Sequence, residues 1–197
     1  AGVPPQLDIS GSTNIADAQL SFPPPRRHDD GYGKWAGYDR PVSLPVTFTL
    51  SAPGQPASID ANIFLGICET ICIPVQTKLS VDPGSDPDNA TDAALVKTAL
   101  ATLPSPARSD FGISVLPGDH ETLVVQAQSH GDPESVDFFI AGERDYMFGA
   151  PVRSEKDGKL VFTVPILDRP SATPTDGGLY YTLTSAEGSV DGLLPFP

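Results

Sequence analysis

The sequence predicts an all-β protein built from β-sandwiches. Of its 197 residues, 22 are proline and 18 are glycine, and these residues interrupt helices and mark turns between short extended segments. Several segments alternate apolar and polar residues with the period of two that half-buried strands have. We expect two domains, residues 1–84 and residues 85–197, joined by a proline-rich linker.

The charge of the chain excludes two classes of partner. Its net charge is −13 and its pI is near 4.3, so its field repels nucleic acid and anionic lipid surfaces. No apolar run approaches the roughly 20 residues that a membrane-spanning helix needs, so we expect no direct membrane insertion of this segment. The chain opens at Ala1 without a signal-peptide pattern, which we interpret as a processed or trimmed start.

The first half contains alternating segments separated by turns. Residues 26–41 lack either periodicity and are rich in glycine, so we expect a loop with aromatic content there. His28, in this segment, is expected at the surface. The expected strands of this half are Leu7–Ser10, Ala18–Phe22, Val42–Leu50, Ile59–Leu65 and Ile73–Val81.

Both cysteines of the chain, Cys68 and Cys72, lie between the last two of these strands. A three-residue connection can reverse the chain, and facing residues on antiparallel strands have Cα atoms about 4.5–5.5 Å apart, within disulfide range. One continuous strand would separate them by about 13 Å. A helical turn is disfavoured by β-branched Ile67, Thr70 and Ile71. The pair is therefore predicted at a β-hairpin or an irregular reversal.

The second half begins with the linker, residues 82–88, and one helix. Alanine density and i, i+3/i+4 spacing predict a helix over Asn89–Leu103 that ends at Pro104, with Asn89 as its cap. Short strands at regular spacing then suggest a second sandwich. These strands are Gly112–Leu116, Thr122–Gln128, Ser135–Ala141, Met147–Val152, Lys159–Pro165, Leu179–Thr184 and Ser189–Leu193.

The residues alone leave three interpretations of the cysteine pair. It can be a structural disulfide, a redox couple, or a copper(I) site formed by two thiolates. Glu69 lies between the cysteines and Lys78 is the nearest basic residue, which discourages thiolate formation and argues against a fast general oxidant. The three histidines show no metal-ligand spacing, and we expect no metal and no cofactor beyond the cysteines.

Three blocks of sequence resemble the amino-terminal periplasmic domain of DsbD-type thiol:disulfide interchange proteins, in particular the ScsB-like branch. They occur in the same order over residues 1–81. The blocks are residues 1–14, residues 29–34 with residues 40–46, and residues 68–75. In the ScsB-like branch a second sandwich-like domain is also expected.

This resemblance implies an immunoglobulin-like fold in the periplasm whose Cys68 and Cys72 relay electrons. Its partners would be thioredoxin-like redox proteins and a membrane electron-transfer domain, and client proteins would receive the electrons. Cys72 would be the exchanging cysteine and Cys68 its more buried partner. A loop that covers the pair until a correct partner docks would be formed by Asp29, Asp30, Gly31, Tyr32, Trp35 and Tyr38.

The chain departs from the family's archetype in two places. Only three residues separate its cysteines, where the archetype has five, and Gly31 stands where the archetype has a shielding phenylalanine. Tyr32, Trp35 or Tyr38 would have to shield the pair instead. Ordinary core packing of Trp35 and a solvated turn at residues 29–30 remain open as alternatives to the cover role. A non-catalytic interaction module with a structural disulfide remains the alternative to electron relay.

Overall fold

The computed structural model of the chain consists of β-strands and one α-helix, besides a single 3-10 turn, in the part that it describes. It contains two units, Ala1–Leu103 and Pro104–Pro197. The predicted all-β class is confirmed. Of Cys68 and Cys72 the structure describes the backbone alone. The described residues are 5–29, 31, 33–68, 71–141, 146–171, 174 and 177–195.

Seven strands are described in the first unit. They are β1 (Gln6–Asp8), β2 (Ile15–Leu20), β3 (Arg26–Asp29), β4 (Lys34–Gly37), β5 (Val46–Leu50), β6 (Ile59–Cys68) and β7 (Cys72–Val81). All pairings are antiparallel: β6 lies between β1 and β7, β2 pairs with β5, and β3 pairs with β4. Polar contacts tie the base of β6 to the loop after β1, because the Ser12 hydroxyl accepts a 3.0 Å hydrogen bond from the Asp60 amide.

The loop expected over residues 26–41 is wrong in part, because β3 and β4 form a hairpin there. Gly31 adopts a φ of +81°, a conformation that glycine reaches without steric cost, so the chain can reverse tightly. Across the two strands His28 stacks on Trp35, with ring centroids 4.1 Å apart. Strands of four residues are too short to produce a recognisable alternation of apolar and polar residues in the sequence. The cross-strand aromatic pair stabilises the hairpin.

The strand predicted over Val42–Leu50 begins later, at Val46. Pro41 and Pro45 carry no backbone N–H to donate to a ladder, and Val42 remains 40% exposed. Apolar residues alternate from Val42 onward, so the sequence predicts a longer strand than the one that the backbone hydrogen bonds form.

The helix α1 spans Ala90–Leu100 and begins at the predicted cap. The Asn89 side chain accepts a 3.0 Å hydrogen bond from the Asp92 amide, which satisfies one of the free N–H groups of the first turn. None of its residues is buried. The division after Leu103 assigns α1 to the first unit, whereas the sequence interpretation grouped the helix with the second domain. The boundary at residue 84 remains a prediction.

The second unit consists of two sheets. Its strands are β8 (Ser105–Pro106), β9 (Gly112–Leu116), β10 (Thr122–Gln128), β11 (Asp137–Ala141), β12 (Met147–Phe148), β13 (Val152–Lys156), β14 (Lys159–Asp168), β15 (Gly178–Ser185) and β16 (Gly188–Pro195). One sheet has the order β12-β14-β10-β9 with β13 also paired to β14, and the other has the order β11-β15-β16-β8. Only the β16–β8 pairing is parallel among these described strands.

Most predicted strands of this unit are observed, with two corrections. The strand predicted over Met147–Val152 is divided between β12 and β13, because Pro151 lacks the N–H that a continuous ladder requires. Ser135 belongs to a 3-10 turn, Pro133–Ser135, rather than to β11.

Inward-facing residues of both sheets form the core of the second unit. The side chains of Val125 and Val164 from one sheet and Phe138 and Leu183 from the other are fully buried, each with 0% exposure. The Phe138 ring also stacks with Phe162 at a centroid distance of 5.8 Å. These apolar positions alternate with partly buried ones along β10, as in a sandwich.

Candidate functional site

The cysteines are the last residue pair of the β6–β7 hairpin. The ladder runs from Ile59 opposite Val81 to Cys68 opposite Cys72 without a register shift. Isoleucine, valine and threonine are frequent along both strands, and these β-branched residues favour extended backbone. The predicted reversal between the cysteines is therefore confirmed, and both strands reach the cysteines themselves.

The register brings the two cysteine backbones together. Directly opposed residues of an antiparallel pair have Cα atoms about 4.5–5.5 Å apart, and disulfides join Cα atoms about 4.4–6.8 Å apart. The backbone can therefore hold the pair bridged or reduced without changing the strand pairing. Chemically, this is the arrangement that a reversible dithiol–disulfide couple needs.

Small and uncharged residues adjoin the cysteines along the ladder. Gly66 lies opposite Pro74, two residues before Cys68 and two residues after Cys72. Proline is tolerated within a paired strand where its nitrogen faces away from the partner strand. Glycine contributes no side chain, so Gly66 adds no bulk next to the cysteine positions.

The next pair toward the turn, Ile67 and Ile73, occupies the opposite face of the hairpin from the Cys68 and Cys72 positions, because successive residues of a strand alternate between faces. Ile67 is 58% exposed and Ile73 is 56% exposed. At the base of the same face, Ile59 is only 8% exposed. On this face, β6 is thus buried at the base of the hairpin and exposed near the turn, whereas β7 is exposed both near the turn and at the base.

The hairpin is anchored at its base by polar contacts. The Ser80 hydroxyl donates a 2.5 Å hydrogen bond to the Asp60 carboxylate across the two strands. In the adjacent strand, the amide of Ser10 donates to the Asp8 carboxylate, and this backbone hydrogen bond is the main cause that lowers the pKa of Asp8. Asp60 and Asp8 therefore stabilise the scaffold and are far along the strands from the cysteines.

The structure gathers the predicted cover residues that it describes in one segment, the β3–β4 hairpin and the residue that follows it. Asp29 accepts a 3.2 Å hydrogen bond from the Gly31 amide, and Trp35 stacks on His28. The hydroxyl of Tyr38, which is 37% exposed, donates a 2.6 Å hydrogen bond to the Pro23 carbonyl. Burial raises the pKa of Tyr38. Asp30 and Tyr32 lie outside the described residues.

One functional candidate was missed in this hairpin. His28, expected at the surface, is half-buried, and its Nε2 atom is buried without a hydrogen-bond partner among the described residues. A histidine and a tryptophan on either side of a glycine-rich turn is the signal that could have identified the stack. The described residues form no extensive contact between β3–β4 and β6–β7.

The described residues contain neither a cluster suited to a metal ion nor a helix suited to a membrane. No three His, Cys, Asp or Glu side chains converge there to hold a metal ion. No described helix combines the length and apolar character needed to cross a membrane.

Residues 3–83 match the family described as "Thiol:disulfide interchange protein DsbD, N-terminal". The predicted resemblance is confirmed. Among solved structures, the N-terminal periplasmic domain of ScsB from Proteus mirabilis is similar, with a TM-score of 0.72 and 21% identity over 96% of this chain and 75% of that one. No curated protein matches the chain. The match to DsbD N-terminal domains covers the hairpin with both cysteines up to the end of β7, and it supports a thiol:disulfide interchange domain.

Proposed function

We propose that the chain relays electrons between proteins by thiol–disulfide exchange through Cys68 and Cys72. The observation that carries the proposal is the pairing of these residues at the end of the β6–β7 ladder, inside the segment that matches the DsbD N-terminal family. A structural bridge would add little here. It would close a loop of a few residues that the ladder already holds, worth about 2 kcal/mol in the chain-entropy description.

The proposed reaction is a pair of two-electron transfers. A thiolate of a reduced thioredoxin-like protein attacks the Cys68–Cys72 disulfide, and a mixed disulfide forms as the internal bond breaks. The partner's second thiol resolves this intermediate, so the partner leaves oxidised and Cys68 and Cys72 become two thiols. These thiols then reduce a client disulfide by the same steps. We assign Cys72 as the exchanging residue and Cys68 as its resolving partner.

The cellular setting is part of the same proposal. The chain would act in the periplasm, where its thioredoxin-like partner would receive electrons from a membrane electron-transfer domain. A segment around the β3–β4 hairpin would cover the cysteines between encounters. Its residues are Asp29, Asp30, Gly31, Tyr32, Trp35 and Tyr38. The hydrogen bond from Tyr38 to Pro23 and the His28–Trp35 stack support a cover with a defined conformation.

Redox titration tests the proposal. We expect the Cys68/Cys72 couple to have a potential in the exchange range, above about −300 mV, since structural bridges usually lie below it. We also expect Cys68→Ala, whose Cys72 is first activated as a mixed disulfide with thionitrobenzoate, to accumulate a mixed disulfide with a thioredoxin that itself lacks its resolving cysteine, because the thioredoxin thiolate attacks Cys72 and thionitrobenzoate leaves. The double variant Cys68→Ala/Cys72→Ala is the control. A potential well below that range, together with no mixed disulfide from Cys68→Ala or Cys72→Ala, contradicts electron relay and favours the structural bridge.

A further inference from the structure

The tip of the β6–β7 hairpin exposes three isoleucines beside the cysteines. Ile67 is 58% exposed, Ile71 in the connection is 70% exposed, and Ile73 is 56% exposed. Ile67 and Ile73 are directly opposed in the ladder, which brings their Cβ atoms within about 4.5–5.5 Å of each other. Single exposed apolar residues are common on protein surfaces, but a group of them marks an interaction site. We call these three residues the isoleucine tip.

Charge is depleted around the isoleucine tip. The chain has 25 acidic and 12 basic residues, yet residues 61–77 contain a single charged residue, Glu69. Depletion of charge is typical of the buried centre of a protein–protein interface, whereas a hairpin end that only meets water usually carries polar and charged side chains. An acidic protein whose hairpin end carries a single charged residue fits a partner whose contacting surface is mainly apolar.

The area of the tip distinguishes a transient partner from a stable one. A large aromatic side chain buries about 150–250 Å² when it is fully covered. An isoleucine is smaller and these three are only partly exposed, so each offers less than about 150 Å² and the three together less than about 450 Å². A stable complex or dimer buries about 800 Å² on each partner, while short-lived redox encounters have the smallest interfaces. The tip is therefore too small to hold a second copy of the chain and suits a brief encounter.

We propose that the isoleucine tip is the docking surface for the thioredoxin-like redox partner, and that it sets the rate of exchange at Cys68 and Cys72. The inference rests on the proposed function. The partner would approach the end of the hairpin with an apolar surface against Ile67, Ile71 and Ile73. Its thiolate would meet the cysteine positions, which follow Ile67 and precede Ile73 in the ladder and lie on the other face. The isoleucines are positioning residues, because they contact the partner and take no part in the sulfur chemistry.

The test compares a protein reductant with a small one. Reduced thioredoxin needs a docking surface, whereas dithiothreitol does not. The variants are Ile71→Ser, which changes only the connection, and the triple variant Ile67→Ser/Ile71→Ser/Ile73→Ser. We expect the triple variant to be reduced by thioredoxin at least about tenfold more slowly, as for the loss of central interface residues, and Ile71→Ser to show part of this loss. The rate with dithiothreitol should change less than twofold in both.

A matched control lies on the same face of β7. Leu79 and Val81 are 52% and 53% exposed, similar to the 56% of Ile73, but they lie at the base of the hairpin. Leu79→Ser/Val81→Ser should leave both rates unchanged. An equal loss in this control overturns the assignment to the tip.

The remaining outcomes separate the docking surface from the proposed function. Unchanged reduction of the triple variant by thioredoxin overturns the docking surface and leaves electron relay intact. A loss with dithiothreitol as large as the loss with thioredoxin also overturns it, because it shows that the substitutions damage the hairpin. A wild-type chain that dithiothreitol reduces and thioredoxin does not overturns the proposed function, and the docking surface with it.

Discussion

The two units of the chain are both β-rich, but they differ in how they use apolar residues. In the second unit, inward-facing side chains of two sheets are fully buried, among them Phe138, Leu179 and Leu183. In the described part of the first unit, the buried hydrophobic residues are Ile59 at 8% and Ala61 at 7% exposure. Apolar side chains thus form a core in one unit and are exposed at a hairpin tip in the other.

This difference follows from what each unit can bury. Two sheets that face each other give a strand one buried face, so alternation in the sequence becomes alternation in exposure. The β6–β7 hairpin is ten residues long on each side and is buried only at the base of β6. Exposed apolar surface has a cost in solubility and stability, so its retention beside the cysteines argues for contact with a partner.

The largest expected effect concerns the core of the second unit. Phe138→Ala removes a fully buried ring that stacks on Phe162, and we expect the free energy of unfolding to fall by about 3–5 kcal/mol. Ile73→Ala, at a 56% exposed site in the first unit, should change it by less than about 0.5 kcal/mol. Urea denaturation followed by far-UV circular dichroism measures both. Comparable losses in the two variants would mean that the hairpin tip is packed as tightly as the core of the second unit, which contradicts the difference in burial between the two units.

An intermediate effect is expected from the β3–β4 hairpin, which we propose as the cover of the cysteines. Tyr38→Phe removes the hydroxyl that donates to the Pro23 carbonyl. Loss of one such hydrogen bond is worth about 1 kcal/mol, which is roughly a fivefold shift in the population of the closed cover. We expect the reduced cysteines to react faster with a small disulfide such as oxidised glutathione, by up to that factor. Stopped-flow kinetics measures the rate.

The matched control for the cover is Tyr180→Phe in the second unit, where Tyr180 is 56% exposed. It should not change the reaction with oxidised glutathione. A rate that is unchanged in Tyr38→Phe, or raised equally in both variants, argues that the β3–β4 hairpin does not cover the cysteines.

The sequence predicts the second unit better than the first for a physical reason. The strand Thr122–Gln128 has one buried face and one partly buried face, so periodicity alone identifies it with its observed bounds. The β3–β4 hairpin depends on a glycine with φ of +81° and on the His28–Trp35 stack, neither of which produces a periodic pattern.

The candidate site shows the same limit. The short spacing of Cys68 and Cys72 between two β-branched segments was sufficient to predict the reversal. The exposure of Ile67 and Ile73 was not predictable, because an apolar alternation is the same whether the face is buried or exposed. The register of β6 against β7 and the exposure of these isoleucines are seen only in the tertiary structure, and the proposed docking surface rests on both.

The smallest expected effect is shared by the two units, and it concerns exposed carboxylates. The pKa of Asp119 is lowered, first by the hydrogen bond from the Thr122 hydroxyl and then by the Glu121 amide, and the pKa of Asp8 is lowered by the Ser10 amide. A folded-state pKa below the unfolded value of about 3.9 means that the stabilisation is present above that pH and is lost as the pH falls through the folded pKa.

Asp119→Asn and Asp8→Asn should therefore lower the thermal midpoint slightly at pH 7, and the difference from the wild type should diminish as the pH falls below the unfolded value of about 3.9. Thermal denaturation from pH 7 to pH 2.5 measures it. Asp17→Asn, at an exposed position on β2, is the control and should follow the wild type throughout. If the deficit of Asp8→Asn persists in acid while that of Asp119→Asn disappears, packing around β1 rather than charge stabilises the edge of the sheet that carries the cysteine hairpin.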